Sequence, residues 1–225
     1  MRHMRLLLLV LLLATARQAS AQLGDMRHNW AVGANAALSM NRVSFVSEVA
    51  VKQQMQLTPA CGLTARYISE KYFAMLCGIQ LELNWAQRGW KEDPEEKPYA
   101  YERTMNYLEI PFMVHLAFGN ERKALFFVNA GPQLALLLNE KESFGGDWQG
   151  LRYEQHGKSA ERRFDYGIVG GAGVELCTRA GHFLLEGRYH FGLADFFHNT
   201  KRDYFGRSAH TNISVRLTYL FDLTR

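Results

Sequence analysis

With 225 residues and a formal charge of +4, the chain is long enough for one domain with a sizeable core, or for one barrel. Past residue 21 no apolar run approaches the ~20 residues that a membrane helix needs, so any membrane insertion must use strands. Cys61, Cys77 and Cys177 are an odd count with no CxxC or Cys/His zinc spacing. They read as free thiols acting as small apolar residues, and no metal or cofactor is expected.

The first element is a leader. Arg2 and Arg5 precede the unbroken apolar run Leu6 to Leu13, and Ala19-Ser20-Ala21 supplies small residues around a cleavage point. That pattern is a secretory signal peptide over residues 1–21, with the mature chain, 22–225, starting at Gln22. No Cys follows the cut, which argues against a lipid-anchored form. Cleavage removes Arg2, Arg5 and Arg17 and no acid, taking +4 to +1. The basic precursor therefore implies no nucleic-acid partner.

Strands follow, recognised by a period of two. Two weaker stretches, Trp30 to Met40 and Leu57 to Tyr67, come first. From Phe73 to Trp85 the odd positions are Phe73, Met75, Cys77, Ile79, Leu81, Leu83 and Trp85, alternating with Ala74, Leu76, Gly78, Gln80, Glu82 and Asn84. The same pattern recurs from Tyr107 to Phe118, Phe126 to Leu136, Phe164 to Leu176, His182 to Phe191 and Asn212 to Phe221. That makes eight strands. Three connections are short: Ser69 to Tyr72, Gly119 to Lys123 and Thr178 to Gly181. Four, around Asn41–Gln56, Gln87–Arg103, Asn139–Arg163 and Ala194–Ala209, run roughly 16 to 25 residues, unusually long for a compact soluble domain. Short turns on one rim and long loops on the other are the outer-membrane plan: an all-β, eight-stranded antiparallel transmembrane barrel with short periplasmic turns and long extracellular loops. A soluble barrel of the lipocalin kind also alternates, but it turns its apolar face inward. Here the polar face is rich in Gly, Ala, Asn, Ser and Gln with a few charges, suiting a narrow lumen filled by side chains. The apolar face carries almost no charge, and aromatics gather near strand ends at Tyr67, Phe73, Trp85, Phe118, Phe164, Tyr166, Tyr219 and Phe221, like an interfacial girdle.

Two residue sets are candidates for function. Arg66, Glu82, Glu109, Glu175, Glu186, Arg188 and Arg216 fall on the inward face, with His115 and His190. Buried charges need partners, so this set reads as a structural lumen network. Antiparallel register between the last two strands brings residue 186 opposite residue 216, so Glu186 and Arg216 are the expected ion pair. The long loops interleave mixed charges with Trp90, Tyr99, Tyr101, Phe144, Trp148, Tyr153, Phe196, Phe197, Tyr204 and Phe205, a candidate docking surface for a protein or glycan. His190, Asp195 and His198 lie toward the outer rim, but no GxSxG elbow or comparable nucleophile signature accompanies them, so no catalytic residue is assigned. Gly170, Gly171 and Gly173 sit inside a strand with no helix behind them, which rules out a phosphate loop and suggests room for bulky lumen neighbours.

Tyr107-Leu108-Glu109-Ile110-Pro111, Asn129-Ala130-Gly131-Pro132, Asp165-Tyr166-Gly167 through Gly170-Gly171-Ala172-Gly173-Val174-Glu175-Leu176, Glu186-Gly187-Arg188-Tyr189 with Gly192-Leu193, and the closing Tyr219-Leu220-Phe221, in that order, resemble the porin-like outer-membrane barrel family typified by PorT and common in the Bacteroidota. Four more residues follow the aromatic ending here. The resemblance covers nearly all of the mature chain and implies a fold and a location in the bacterial outer membrane, in contact with its lipid. PorT itself is implicated in a gliding-associated secretion system; nothing in these residues singles out PorT from its relatives. The expected function is non-enzymatic, as a scaffold, binding or secretion-associated barrel. The alternative is a small conduit or a lipid-modifying outer-membrane enzyme.

Overall fold

The computed structural model describes residues 24–47, 53–92, 100–145, 160, 162–194 and 205–224, with backbone alone for 42–47, 53–54, 100 and 205–210. The leader expected over 1–21 lies outside the described residues. Eight long strands account for nearly all of the rest: β1 (Asp25–Ser47), β2 (Gln56–Tyr72), β3 (Met75–Glu92), β4 (Ala100–Asn120), β5 (Ala124–Gly145), β6 (Phe164–Thr178), β7 (Gly181–Gly192) and β8 (Phe205–Asp222). A two-residue strand, Gln53–Gln54, precedes β2 across Met55 and pairs with the end of β3 at Glu92 and Lys91. Every long strand pairs antiparallel with its successor, and β1 also pairs with β8, from Ala31↔Asp222 to Ser47↔Phe205. The sheet therefore closes on itself and keeps no edge along its length.

Side-chain exposure decides which kind of barrel this is. On β3, Gln80, Glu82 and Asn84 are 0%, 1% and 0% exposed, whereas Ile79, Leu81 and Leu83 are 40%, 45% and 46% exposed. The other strands repeat this inversion, with Phe112, Val128, Ile168, Leu185 and Leu217 outward and Glu109, Asn129, Asp165, Glu186 and Arg216 inward. An apolar exterior around a polar interior is what lipid requires and water forbids. Among the described residues no helix is long and apolar enough to cross a membrane; the strands cross it.

Of the aromatic rings expected at strand ends, Phe118, Phe164, Tyr166, Tyr219 and Phe221 lie there, whereas Trp85 falls in the middle of β3, which continues to Glu92. Trp30 lies 4.7 Å from Tyr67, and Phe183 lies 5.0 Å from Tyr219. Phe73 departs from the expectation. β2 runs through Tyr72, so the short turn is Phe73-Ala74 rather than Ser69 to Tyr72, and Phe73 sits at its tip with φ 52° and 95% exposure.

The long connections are corrected more substantially. β1, β3, β4, β5 and β8 continue past the apolar band, so 41–47, 87–92, 100–103, 139–145 and 205–209 are strand. The β3–β4 ladder reaches Glu92↔Tyr101 and the β4–β5 ladder reaches Ala100↔Gly145. A tilted strand needs only about 9–11 residues to cross the hydrocarbon. These strands are longer, and continued pairing satisfies their backbone groups beyond the lipid.

Candidate functional site: the lumen and its two mouths

The inward side chains stack in layers from the short-turn rim to the long-loop rim. Nearest the short turns is an apolar layer of Ala31, Ile68, Leu76, Ala117, Leu125, Phe127, Leu184 and Leu220, against which Cys177 packs. Within it Arg66 of β2 reaches across to Glu175 of β6 through two bonds, Nη1 to Oε2 at 2.6 Å and Nη2 to Oε1 at 2.9 Å. His115 lies beside them, its Nδ1 2.8 Å from Asn129 and its Nε2 3.9 Å from Glu175. A cavity of about 1190 Å³ opens from this layer to the rim formed by the turns at Asn120 and Arg179.

The middle layer is ionic. Arg188 of β7 donates to both carboxylate oxygens of Glu82 on β3, at 2.9 Å each, and also to Glu186, at 3.2 and 2.7 Å. Glu82 further accepts from Gln80 and Asn84 at 2.8 and 2.9 Å, and Glu186 accepts from Asn129 at 3.1 Å. These are charge-assisted bonds between groups almost wholly removed from solvent. In a ring of eight, β3 and β7 are four strands apart, as are β2 and β6. Both bidentate pairs therefore span the full width of the barrel.

The glycines of β6 serve this layer. A Cβ on Gly171 would strike the Glu186 carboxylate, and one on Gly173 would come within 2.7 Å of the Phe127 ring. Gly170 points outward and lacks such a neighbour, its nearest being the Asn129 carbonyl at 3.9 Å.

Above the middle layer Arg88 binds Glu109 through Nε at 2.8 Å, donates to Asp165, and lies 4.7 Å over the Tyr107 ring. Higher still, Trp90, Tyr101, Met105, Tyr107, Ala135 and Leu137 form an apolar cap inside the outward extension. Arg103 lies 5.5 Å from the Trp90 ring and pairs with Glu140 and Glu142, the latter at 3.0 Å. A cation over an indole face is favourable where both are dry.

All seven residues of the expected inward set are buried, but not all pair as expected. β7 and β8 do place Glu186 opposite Arg216. Even so, Glu186 is taken by Arg188, while Arg216 lies 3.6 Å from Glu82 and bonds to Asn35. The shared carboxylates draw Arg188 between them and leave Arg216 at the margin. Arg88, Asp165 and Arg103 belong to the buried charge system and were not in that set. Among the described residues neither ring nitrogen of buried His190 has a hydrogen-bond partner, and Asp195 and His198 lie outside them.

The expected loop aromatics divide. Trp90 and Tyr101 are 0% and 1% exposed and line the cap, because β3 and β4 keep alternating through them. Their rings face the lumen rather than the outer surface of the rim. Phe144 is half-exposed on the outward end of β5, and Phe205 opens β8. Tyr99, Trp148, Tyr153, Phe196, Phe197 and Tyr204 lie outside the described residues.

A family model described as "outer membrane protein beta-barrel domain" matches residues 18–198. No curated protein matches the sequence. Among solved structures, the outer membrane protein OprG of Pseudomonas aeruginosa aligns with TM-score 0.54 and 11% identity over 88% of this chain and 96% of its own. Neisserial surface protein A aligns with TM-score 0.44 and 13% identity over 85% and 97%. Ail, the attachment invasion locus protein of Yersinia pestis, gives 0.43 and 11% over 87% and 100%. At these identities such neighbours bear on the fold alone. Closure of the sheet, the inverted exposure pattern and the family match agree: this chain belongs to the outer-membrane β-barrel protein family and resides in the bacterial outer membrane.

Proposed function

We propose that this protein is a PorT-like, non-enzymatic barrel of the Bacteroidota type, closed to solutes, that acts as a scaffold or binding component through its outward rim. The observation that carries the closed-lumen reading is the pair of diametric bridges, Arg188–Glu82 and Arg66–Glu175. Side chains in hydrogen-bond contact across the whole width support a filled lumen, and eight-stranded lumens are just wide enough for side chains to fill. The non-enzymatic part is supported by the engagement of the lumen acids. Glu82, Glu109, Asp165, Glu175 and Glu186 each lie within ion-pair distance of an arginine, an arrangement that fixes carboxylates rather than readying one as a base. The PorT-like assignment rests on the ordered phrases from Tyr107-Leu108-Glu109-Ile110-Pro111 to Tyr219-Leu220-Phe221, and residues 1–21 serve in it as a cleaved leader. Contact with a protein or glycan falls to the outward rim, where Phe144 presents an exposed ring.

Purified barrel reconstituted in a planar bilayer should give no steady conductance on the nanosiemens scale. Stable openings of that size would overturn the closed-lumen reading and favour a conduit.

A further inference from the structure

The geometry points to a transition-metal site of the zinc class at the short-turn mouth, built from Glu175, Cys177 and His182. Linear spacing conceals it, since no CxxC or paired Cys/His motif is present. Strand register creates it. Glu175 and Cys177 are two apart on β6 and so share its inward face, and Cys177 stands directly opposite His182 on β7. A carboxylate oxygen, the thiol sulfur and an imidazole nitrogen thereby come within 4.8 Å of one another. Cys177 Sγ is 4.0 Å from Glu175 Oε1, and His182 Nδ1 is 2.6 Å from the same oxygen. Thiolate, imidazole and carboxylate are the donor types zinc takes, and three protein ligands leave a fourth position open to water from the cavity.

Two further observations single this cluster out. His182 Nε2 lies 3.0–3.1 Å from the Asp222 carboxylate. A carboxylate on one ring nitrogen, leaving the other for the metal, is the usual support for a metal-binding histidine. His182 Nδ1, the nitrogen left over, lies against Glu175 Oε1 at 2.6 Å on the lumen side of the ring. A divalent cation held by Nδ1 and Oε1 would take the place of a proton shared between them. Arg66 does not compete for the place. It uses two of the roughly four acceptor positions of the Glu175 carboxylate and fixes its orientation. Cys61 is exposed on the outer face, and Cys77 sits on the same outward alternation of β3 as Ile79, so neither shares the lumen with Cys177. Binding would displace the thiol proton to solvent.

Cobalt(II) titration of the folded barrel in micelles, in a C61A/C77A background, tests the site. One equivalent should bring up a thiolate-to-cobalt charge-transfer band, and one equivalent of zinc should bleach it. C177S should abolish the band, and H182Q should weaken binding at least tenfold, with folding of each variant checked by its unboiled mobility in SDS. Should C177S not fold, the C61A/C77A protein supplies the second readout: zinc should slow reaction of Cys177 with a water-soluble maleimide at least tenfold, and H182Q should remove that protection. No charge-transfer band, or unchanged maleimide reactivity with zinc, would overturn the proposal and leave His182 as a plain ion-pair partner of Glu175 and Asp222.

Discussion

Replacing Arg188 with Met should destabilise the barrel by about 3–5 kcal/mol, because it takes the directly bonded cation from two buried carboxylates at once and leaves only Arg216, 3.6 Å from Glu82, nearby. Glu82 and Glu186 are 1% exposed each and take five of their hydrogen bonds from Arg188 and the surrounding amides Gln80, Asn84 and Asn129, besides the two that Arg188 makes to Glu186. The amides cannot neutralise charge, so the loss falls on the acids. Exchanging Glu82 to Gln together with Arg188 to Met should cost much less than the two single changes added. Urea unfolding of the lipid-reconstituted barrel measures this cycle, and its coupling should lie toward the upper end of the ~0.5–3 kcal/mol seen for residues in contact. The Glu186–Arg216 cycle should give a smaller coupling, since those two face each other in register but bond elsewhere. Additivity for Glu82 and Arg188 would mean that the bridge across the lumen does not form.

The outer face yields the second large effect. Leu217→Arg, near the middle of the apolar stretch of β8, should cost about 2–4 kcal/mol in a bilayer, while Phe221→Arg, near the strand end, should cost about 0–1 kcal/mol. Both side chains are similarly exposed, 57% and 55%. Exposed substitutions on a water-soluble protein usually stay within about 0.5 kcal/mol, so the depth dependence reports lipid rather than water. Equal, small effects at both positions would indicate a wetted outer wall.

Much of this architecture is legible in the sequence because lipid outside and a polar lumen inside force opposite demands onto alternate residues. β6 shows it plainly: Phe164, Tyr166, Ile168 and Val174 point out while Asp165, Gly167 and Glu175 point in. The register of β7 on β8 also follows from counting across the strands. What is not legible has two physical causes. Above the membrane the outward residues need no longer be apolar, so Gln87, Gly89 and Lys91 break the apolar alternation although the ladder continues. That hid Arg88, Trp90, Tyr101 and Arg103 inside an apparent loop. The unbroken inward series Ala86, Arg88, Trp90, Glu92 was the available signal. The second cause is closure. Partners around the ring follow from chain order, but Arg188 meets Glu82 and Arg66 meets Glu175 only once the sheet has closed and its opposite walls face each other. The cluster of Glu175, Cys177 and His182 was hidden similarly, since register across a turn, not spacing along the chain, brings its members together.

Electrophoresis in SDS with and without boiling tests the closed barrel most directly. A sheet whose first and last strands are joined from Ala31↔Asp222 to Ser47↔Phe205 offers detergent no edge to open. Unboiled protein from the outer-membrane fraction should run as a compact band and shift to its full-length position only after heating. A single mobility at both temperatures, with release of the protein by carbonate washing, would contradict a closed membrane-spanning barrel.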